Sequence, residues 1–400
     1  MEIGPIIRAL GRSKTRFVLI TIEVALTLAV VVNCVNMMAK MRRDMDRPTG
    51  IDEGNIITVV SHPFSPDFKE EAYLDNARKA DVELLRSLPG VRAAEAISAI
   101  PLSGSGSSSG YKPLGSTAHT LPTGFFYTGQ GALDALGVRL IAGRNFVLSD
   151  INESESKNVI VTKAFADKLF PDGKALGKQI QGRTPDNPHT IVGILEHMHG
   201  SWPGWPFVNH VTLVPGKPGS FNWGVRYLIR TQPGQIDAVF RLIEPEMLKL
   251  NNGRNVTAAT LADIKADTFD AQLNIITLLG AVIVLLIFVT SLGIVGITSF
   301  SVTERTHHIG TRRAVGARKL DILRYFMMEN WIVTSAGIAF GVVLTYALNF
   351  LLVNFVSGEK MDWRLLAAGI LGMWIVGQLA AFFPALRGAR ISPATATRSV

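Results

Sequence analysis

The sequence predicts a membrane protein with four transmembrane α-helices and a large α+β extracytoplasmic domain, made of two subdomains, between helices 1 and 2. Three observations lead there. Of the 400 residues, 48% are hydrophobic, and the mean hydropathy is +0.27, more than a chain folded only in water needs. The apolar excess gathers in one block near the amino end and three near the carboxyl end, around a polar middle of ordinary composition. Arginine and lysine, which give a net charge of +8, flank those blocks and form no single long stripe, so membrane lipids are the expected neighbours and nucleic acid is not an expected partner. The one cysteine, Cys34, excludes an intramolecular disulfide and a cysteine metal cluster.

Residues 1–16 read as a cytoplasmic amino-terminal segment. The first span, 17–38, runs from Phe17 to Met38 and as a helix is about 33 Å long, enough to cross a bilayer. A cleaved signal peptide has an apolar core of only about 7–15 residues before a small-residue site; this block is longer and ends in Asn36-Met37-Met38, so it is read as a retained helix. Glu23 interrupts it, and a carboxylate turned toward lipid costs several kcal/mol, so Glu23 is expected to face the bundle or dimer interior. Residues 39–272 form the extracytoplasmic domain. The second span, 273–302, is about 45 Å long as a helix, beyond the ~30 Å hydrocarbon core, and must tilt or project into water. A short basic cytoplasmic segment, 303–330, separates it from the third span, 331–356. The fourth span, 365–384, ends where Pro384 and Arg387 mark the exit, and 385–400 form a cytoplasmic tail.

Four spans place both termini and the segment 303–330 on one side. That side carries Arg8, Arg12, Lys14 and Arg16, then Arg305, Arg312, Arg313, Arg318, Lys319 and Arg324, then Arg387, Arg390 and Arg398. The opposite flanks offer Lys40, Arg42, Arg43, Arg47, Lys265, Lys360 and Arg364. The first helix is balanced at its two ends, but the whole set puts the termini in the cytoplasm.

Within the domain, Asn55–Ser61 reads as a strand and Asp67–Leu88 as a helix with Tyr73, Ala77, Ala80, Leu84, Leu85 and Leu88 at helical spacing. Leu88-Pro89-Gly90 stops it before a strand at Val91–Ile100, and the Gly/Ser run Ser103–Gly110 reads as a flexible joint between subdomains. Further strands are expected at Asn158–Thr162, Thr190–Leu195 and Val225–Thr231, and helices at Lys163–Phe170 and Gln235–Leu250.

Gly173 to Gln179 resembles a phosphate loop, but a Walker A motif needs four residues between its glycines and a hydroxyl residue after the lysine. This stretch has three, and Gln179, so a turn is expected. No catalytic residue, bound cofactor or metal is expected in this chain: His189, Glu196, His197, His199 and His210 show no known ligand spacing. Trp202, Trp205 and Phe207 lie in a Pro/Gly loop; they are candidates for contact with a partner, substrate or membrane surface, against the alternative that they pack on their own domain.

The segment after the second span reads Glu304-Arg305-Thr306-His307-His308-Ile309-Gly310-Thr311-Arg312-Arg313-Ala314-Val315-Gly316-Ala317. On a helix, Arg305, His308 and Arg312 form one polar stripe, with Ile309 and Val315 available for burial. Such a helix suits docking on another protein, and a basic interfacial helix on anionic lipid is the alternative. Here the sequence resembles the FtsX/MacB-like permeases of ABC transporters, whose loop pattern is matched by Glu304-Arg305, Gly310, Arg312-Arg313-Ala314 and Gly316-Ala317, with His308 where the family usually has Glu. Leu136-Gly137-Val138, Gly143-Arg144, Val159-Ile160-Val161 and Leu176-Gly177-Lys178 look like the family's MacB-type periplasmic core, and Phe383-Pro384-Ala385-Leu386-Arg387 with Pro393 and Ala396 like its ending.

The resemblance implies a multi-pass permease of the bacterial inner membrane. In it, Glu304, Arg305, His308, Gly310, Arg312, Arg313, Ala314, Gly316 and Ala317 would couple to a dimer of ABC ATPase subunits. ATP and Mg would be bound on that separate partner. A second permease copy or paralogue, and a periplasmic adaptor with an outer-membrane channel, are the further partners it implies. Export of a drug, peptide, lipid or lipoprotein is the leading function; regulatory mechanotransmission to a periplasmic partner, without cargo, is the alternative.

Overall fold

The computed structural model describes residues 14–152, 157–182, 188–355 and 359–391. Arg8, Arg12, Val356, Pro393, Ala396 and Arg398, used above for orientation, span limits and resemblance, lie outside the described residues. In chain order the elements are α1 (Lys14–Met45), β1 (Ile56–Pro63), α2 (Glu71–Ser87), β2 (Val91–Ile97), β3 (Ser107–Pro113), β4 (Leu121–Thr128), α3 (Ala132–Leu136), β5 (Leu140–Gly143) and α4 (Leu148–Asn152). They continue with β6 (Asn158–Thr162), α5 (Lys163–Leu169), β7 (Gln179–Gln181), β8 (His189–Leu195), β9 (Val211–Pro215), β10 (Val225–Thr231), α6 (Ile236–Leu250) and β11 (Arg254–Thr260). The chain closes with α7 (Leu261–Glu304), α8 (Thr306–Ala314), α9 (Lys319–Phe355) and α10 (Trp363–Ala389). Two compact units result, Asp44–Ala271 and the remainder.

In the first unit an open antiparallel sheet runs β11-β1-β10-β2. Val239, Ile243 and Met247, four residues apart on α6, and Leu74, Val82 and Leu85 of α2 bury against Ile57, Val59, Tyr227 and Ile229 of that sheet. Each fully buried aliphatic side chain there contributes about 1.5–3 kcal/mol. Gly90 makes the turn out of α2 at φ 86°, and a Cβ there would come 3.1 Å from Gln235 and Val239, so glycine serves both the left-handed backbone and the close approach.

Beyond β2 the strands close on themselves. β4 pairs with β3, β3 with β7, β7 with β8, β8 with β6, β6 with β9, and β9 returns to β4. Such closure satisfies the backbone without leaving a sheet edge. The Ser103–Gly110 run is therefore no free joint. Its second half is in β3, where Ser107 pairs with Phe125, and its first half is held by Leu102 N donating to Gly200 O at 3.1 Å and Gly104 N to Ser201 O at 2.8 Å. Helix α2 likewise starts at Glu71 rather than Asp67, after a single 3-10 turn over Pro66–Lys69.

The charged group that fixes this unit is buried. Arg254 donates to Asp81, with both side chains 1% exposed, and to the carbonyls of Met247 at 2.9 Å and Asn251 at 3.2 Å. Tyr227 donates its hydroxyl to Asp81 at 2.5 Å, and burial, then the Asp81 charge, pushes its phenol well above the usual range. α2, β10 and β11 are thereby bonded through one carboxylate.

In the second unit, α1, α7, α9 and α10 are long and apolar enough to cross a membrane by length and composition. Small residues let them approach: a Cβ on Gly337 would lie 2.7 Å from Val24, on Gly341 2.9 Å from Leu28, and on Gly369 2.4 Å from Val32. Interhelical hydrogen bonds add to this, with Asn33 donating to Thr345 O at 3.1 Å and Asn330 to Gly377 O at 2.9 Å. Half of the most apolar stretch of α1 is buried by these contacts, against 6% of that of α7. The helices outrun the apolar blocks: α9 begins at Lys319, inside the polar segment, and α10 passes through Pro384 to Ala389. The helix therefore continues past Pro384, where the fourth span was expected to end. The proline's missing N–H is tolerated where neighbouring helices pack around it, and it is buried.

Candidate functional site

The basic segment folds as a short helix between two long ones. Arg305 occupies the hinge between α7 and α8 at φ −98°, ψ 13°. Gly316, at φ 103°, reverses the chain after Val315, a backbone that only glycine takes up without strain. Gly316 N then donates to Arg313 O at 3.2 Å and Ala317 N to Arg312 O at 3.1 Å, closing the end of α8. Ile309 and Gly310 are buried, and Ile309 packs with Val302, Ile322, Phe326, Ala385 and Ala389, with Ala317 alongside.

The arginines divide by direction. Arg305 turns inward: its Nη1 donates to Glu329 Oε2 at 2.9 Å and to the Tyr325 hydroxyl at 3.2 Å. Arg313 also turns inward, donating to the carbonyls of Ala389 at 2.9 Å and Ile391 at 3.3 Å. Arg312 and His308 are exposed, as are Glu304, Ala314 and Gly316, and the Arg312 guanidinium lies 5.5 Å from the Tyr325 ring centroid. Glu304 accepts from Arg16 at 2.5 Å. The expected stripe of Arg305, His308 and Arg312 is thus split, because a buried acid on α9 draws Arg305 away from it. Val315, expected to bury, is 85% exposed, since the helix ends one residue earlier and the turn carries Val315 outward.

Glu23 is half-buried, and its carboxylate lies on α7, where a Cβ on Gly293 would come within 2.4 Å of it. Trp202, Trp205 and Phe207 stack edge to face with centroids 5.5 Å apart. His210 continues the series to Phe165 at 5.3 Å. The loop packs its rings on its own domain and leaves each half-exposed. His197 and His199 meet at 5.1 Å, yet no cluster of metal-binding side chains forms among the described residues. His199 is buried, and its pKa is lowered to about 4 by burial first and then by the charges of His197, Arg47 and Lys265. In the glycine turn, Gly177 N donates to Ile191 O at 2.8 Å and Lys178 pairs with Asp172 at 2.8 Å, so those groups are spent on the fold.

Sequence reasoning missed Arg16, Tyr325 and Glu329. The available signal for Glu329 was a lone carboxylate four residues after Tyr325, at the edge of an apolar block.

Residues 17–262 match the MacB-like periplasmic core domain and residues 280–393 the FtsX-like permease C-terminal domain. The macrolide export ATP-binding/permease protein MacB of Chromobacterium violaceum is 29% identical over 267 residues, 64% of this chain and 40% of that protein. Its namesake in Neisseria gonorrhoeae is 28% identical over 310 residues, 74% and 46%. That of Burkholderia pseudomallei is 30% identical over 275 residues, 66% and 41%. The chain spans less than half the length of these curated relatives. Among solved structures, the periplasmic region of MacB from Actinobacillus actinomycetemcomitans aligns with 55% of this chain and 95% of its own at 12% identity and a TM-score of 0.37. Four long apolar helices, a large α+β domain between the first and second, and two family models that together take in most of the sequence make this chain a member of the FtsX/MacB family of ABC transporter permeases.

Proposed function

We propose that this chain is the inner-membrane permease subunit of an ABC exporter, driven by ATP-binding subunits that dock on the outward face of α8. The observation that carries it is that face: His308, Arg312 and Val315 are exposed together beside a hinge that ends a 44-residue helix. The Arg312 charge with an exposed apolar residue in the turn that follows suits an acidic-rimmed groove on a protein. The segment and both termini lie in the cytoplasm in this reading, and the domain Asp44–Ala271 lies outside.

Helix α7 suits transmission. It begins at Leu261, fully buried in the domain core, and Thr268 donates to Leu102 O at 2.9 Å. From there the helix runs unbroken to Glu304. Amphipathic cargo such as a macrolide-like drug, peptide, lipid or lipoprotein fits a permease that takes its load from the membrane or the outer face. ATP and Mg belong to the partner subunit, and the largely bare apolar length of α7 suits lipid or a second permease chain.

The double variant Arg312→Glu, Val315→Asp tests the docking. It should remain in the membrane but lose co-purification of co-expressed ABC ATP-binding subunits by about ten-fold or more. Undiminished capture refutes the docking face. In intact cells a cysteine at Ser107 should label from outside and one at Thr311 should not; the reverse overturns the orientation. ATP turnover without cargo movement would favour the regulatory alternative.

A further inference from the structure

The basic segment is bonded separately to each of the other three long helices. Glu304, the last residue of α7 where the segment begins, takes Arg16 of α1 at 2.5 Å. Arg305 takes Glu329 and Tyr325, one turn apart on α9. Arg313 takes the carbonyls of Ala389 and Ile391 at the end of α10. The apolar cluster of Val302, Ile309, Ile322, Phe326, Ala385 and Ala389 fills the space between these links, and α7 runs into the segment through the backbone itself.

Physical chemistry explains why each link is specific. The Glu329 side chain is 12% exposed, and a carboxylate at that depth left without a cation costs several kcal/mol. Arg305 supplies the cation from the hinge residue, so the hinge is fixed against α9. The last carbonyls of α10 have no partners inside their own helix, and a guanidinium supplies two donors where the helix dipole is negative. Arg16 and Glu329 line one cavity of about 50 Å³, so the links to α1 and α9 are neighbours.

We infer that Arg305 with Glu329, and Arg313 with the end of α10, are positioning contacts that make the adjoining ends of α7, α9 and α10 move with the segment. Force received on α8 then reaches the third and fourth helices as well as the second. A segment held only by its backbone would act as a lever on α7 alone. This inference rests on the docking reading for the origin of the force; the links themselves do not.

The test uses the full chain in lipid nanodiscs, with Cys34→Ser to remove the native thiol and Ile309→Cys as reporter, because Ile309 is only 4% exposed. Maleimide labelling should be slow in that parent and about ten-fold faster with Glu329→Arg, as the segment leaves α9. The exchanged pair Arg305→Glu, Glu329→Arg should return the rate to near the parent's. An unchanged rate in Glu329→Arg, or an exchanged pair that labels as fast as the single variant, overturns the link. Should Glu329→Arg not accumulate, Arg305→Lys and Tyr325→Phe replace it, with an expected increase of about two- to three-fold; no increase in either overturns the link equally.

Without the reporter cysteine, the same charge variants are co-expressed with ABC ATP-binding subunits. Glu329→Arg should retain subunit capture, lose ATP turnover by about ten-fold, and regain it in the exchanged pair. Retained turnover in Glu329→Arg overturns the positioning role. If even the unaltered chain captures no ATP-binding subunit, the docking reading fails, and the labelling rates still decide the links.

Discussion

The domain core and the basic segment use the same pair of groups at different depths. Asp81 and Arg254 in the domain are each 1% exposed, and three further hydrogen bonds from Tyr227 and to Met247 and Asn251 surround them. In the segment, Arg305 and Glu329 are 21% and 12% exposed, and Arg16 and Glu304 are 31% and 54% exposed. Depth changes what the pair can do. A dry pair cannot open without leaving a charge unsolvated, so it holds α2 to β11, and the shallow burial of Glu329 makes Arg305 a weaker version of the same lock; the exposed Arg16 and Glu304 can exchange each other for water at modest cost. Depth therefore ranks the pairs, with Asp81 and Arg254 the firmest, Arg305 and Glu329 next, and Arg16 and Glu304 the releasable one.

The sharpest way to break this contrast is Asp81→Ala. It strands the Arg254 guanidinium in the core and removes the acceptor of Tyr227, and should destabilise the domain by about 3–5 kcal/mol. Thermal melting of the purified full chain, followed by tryptophan fluorescence, measures it. A variant that melts with the parent would show that burial does not make this pair a lock.

Between the two depths lies His199, a buried ring with cations for neighbours. Its pKa is pushed down to about 4 from 6.5, by burial and then by His197, Arg47 and Lys265, with Glu53 opposing. The folded protein keeps the ring neutral while the unfolded chain protonates it near 6.5. Stability is therefore complete above that pH and falls as the pH drops toward 4. Between pH 7 and pH 5 the loss should be about 1–2 kcal/mol, read as a lower melting midpoint. His199→Gln should remove most of that slope, with His210, also lowered by burial, leaving a remainder. An equally steep slope in the variant would move the effect to other groups.

The contrast also separates what could be read in the sequence from what could not. Hydropathy alone finds α1, α7, α9 and α10, because about twenty apolar residues in a row have few other uses, and the helical spacing of Tyr73, Ala77, Ala80, Leu84, Leu85 and Leu88 locates α2, although the face that buries is Leu74, Arg78, Val82 and Leu85. Strands β3, β4, β5, β7, β9 and β11 stayed hidden. Ser107-Ser108-Ser109-Gly110 has no apolar alternation, and Gln179–Gln181 is held in register by β3 and β8 rather than by its own residues. The segment's motif was legible, but its inward and outward arginines were not. A helical wheel places Arg305 beside Arg312; only the tertiary position of Glu329 and of the end of α10 turns Arg305 and Arg313 the other way.

The smallest expected effect is the most demanding for the argument about depth. Arg139 and Glu196 form a two-point pair, with Nε donating to Oε2 at 2.6 Å and Nη2 to Oε1, which is the geometry most able to give an ion pair a net effect. Their side chains are 70% and 48% exposed. Water and salt compete for both groups, so Arg139→Ala should leave the melting midpoint where it was at physiological ionic strength. A clear drop in that midpoint would mean that bond geometry, and not burial, sets which pairs hold this protein together, and the ranking of Arg16 and Glu304 as the releasable link below Arg305 and Glu329 would lose its physical ground.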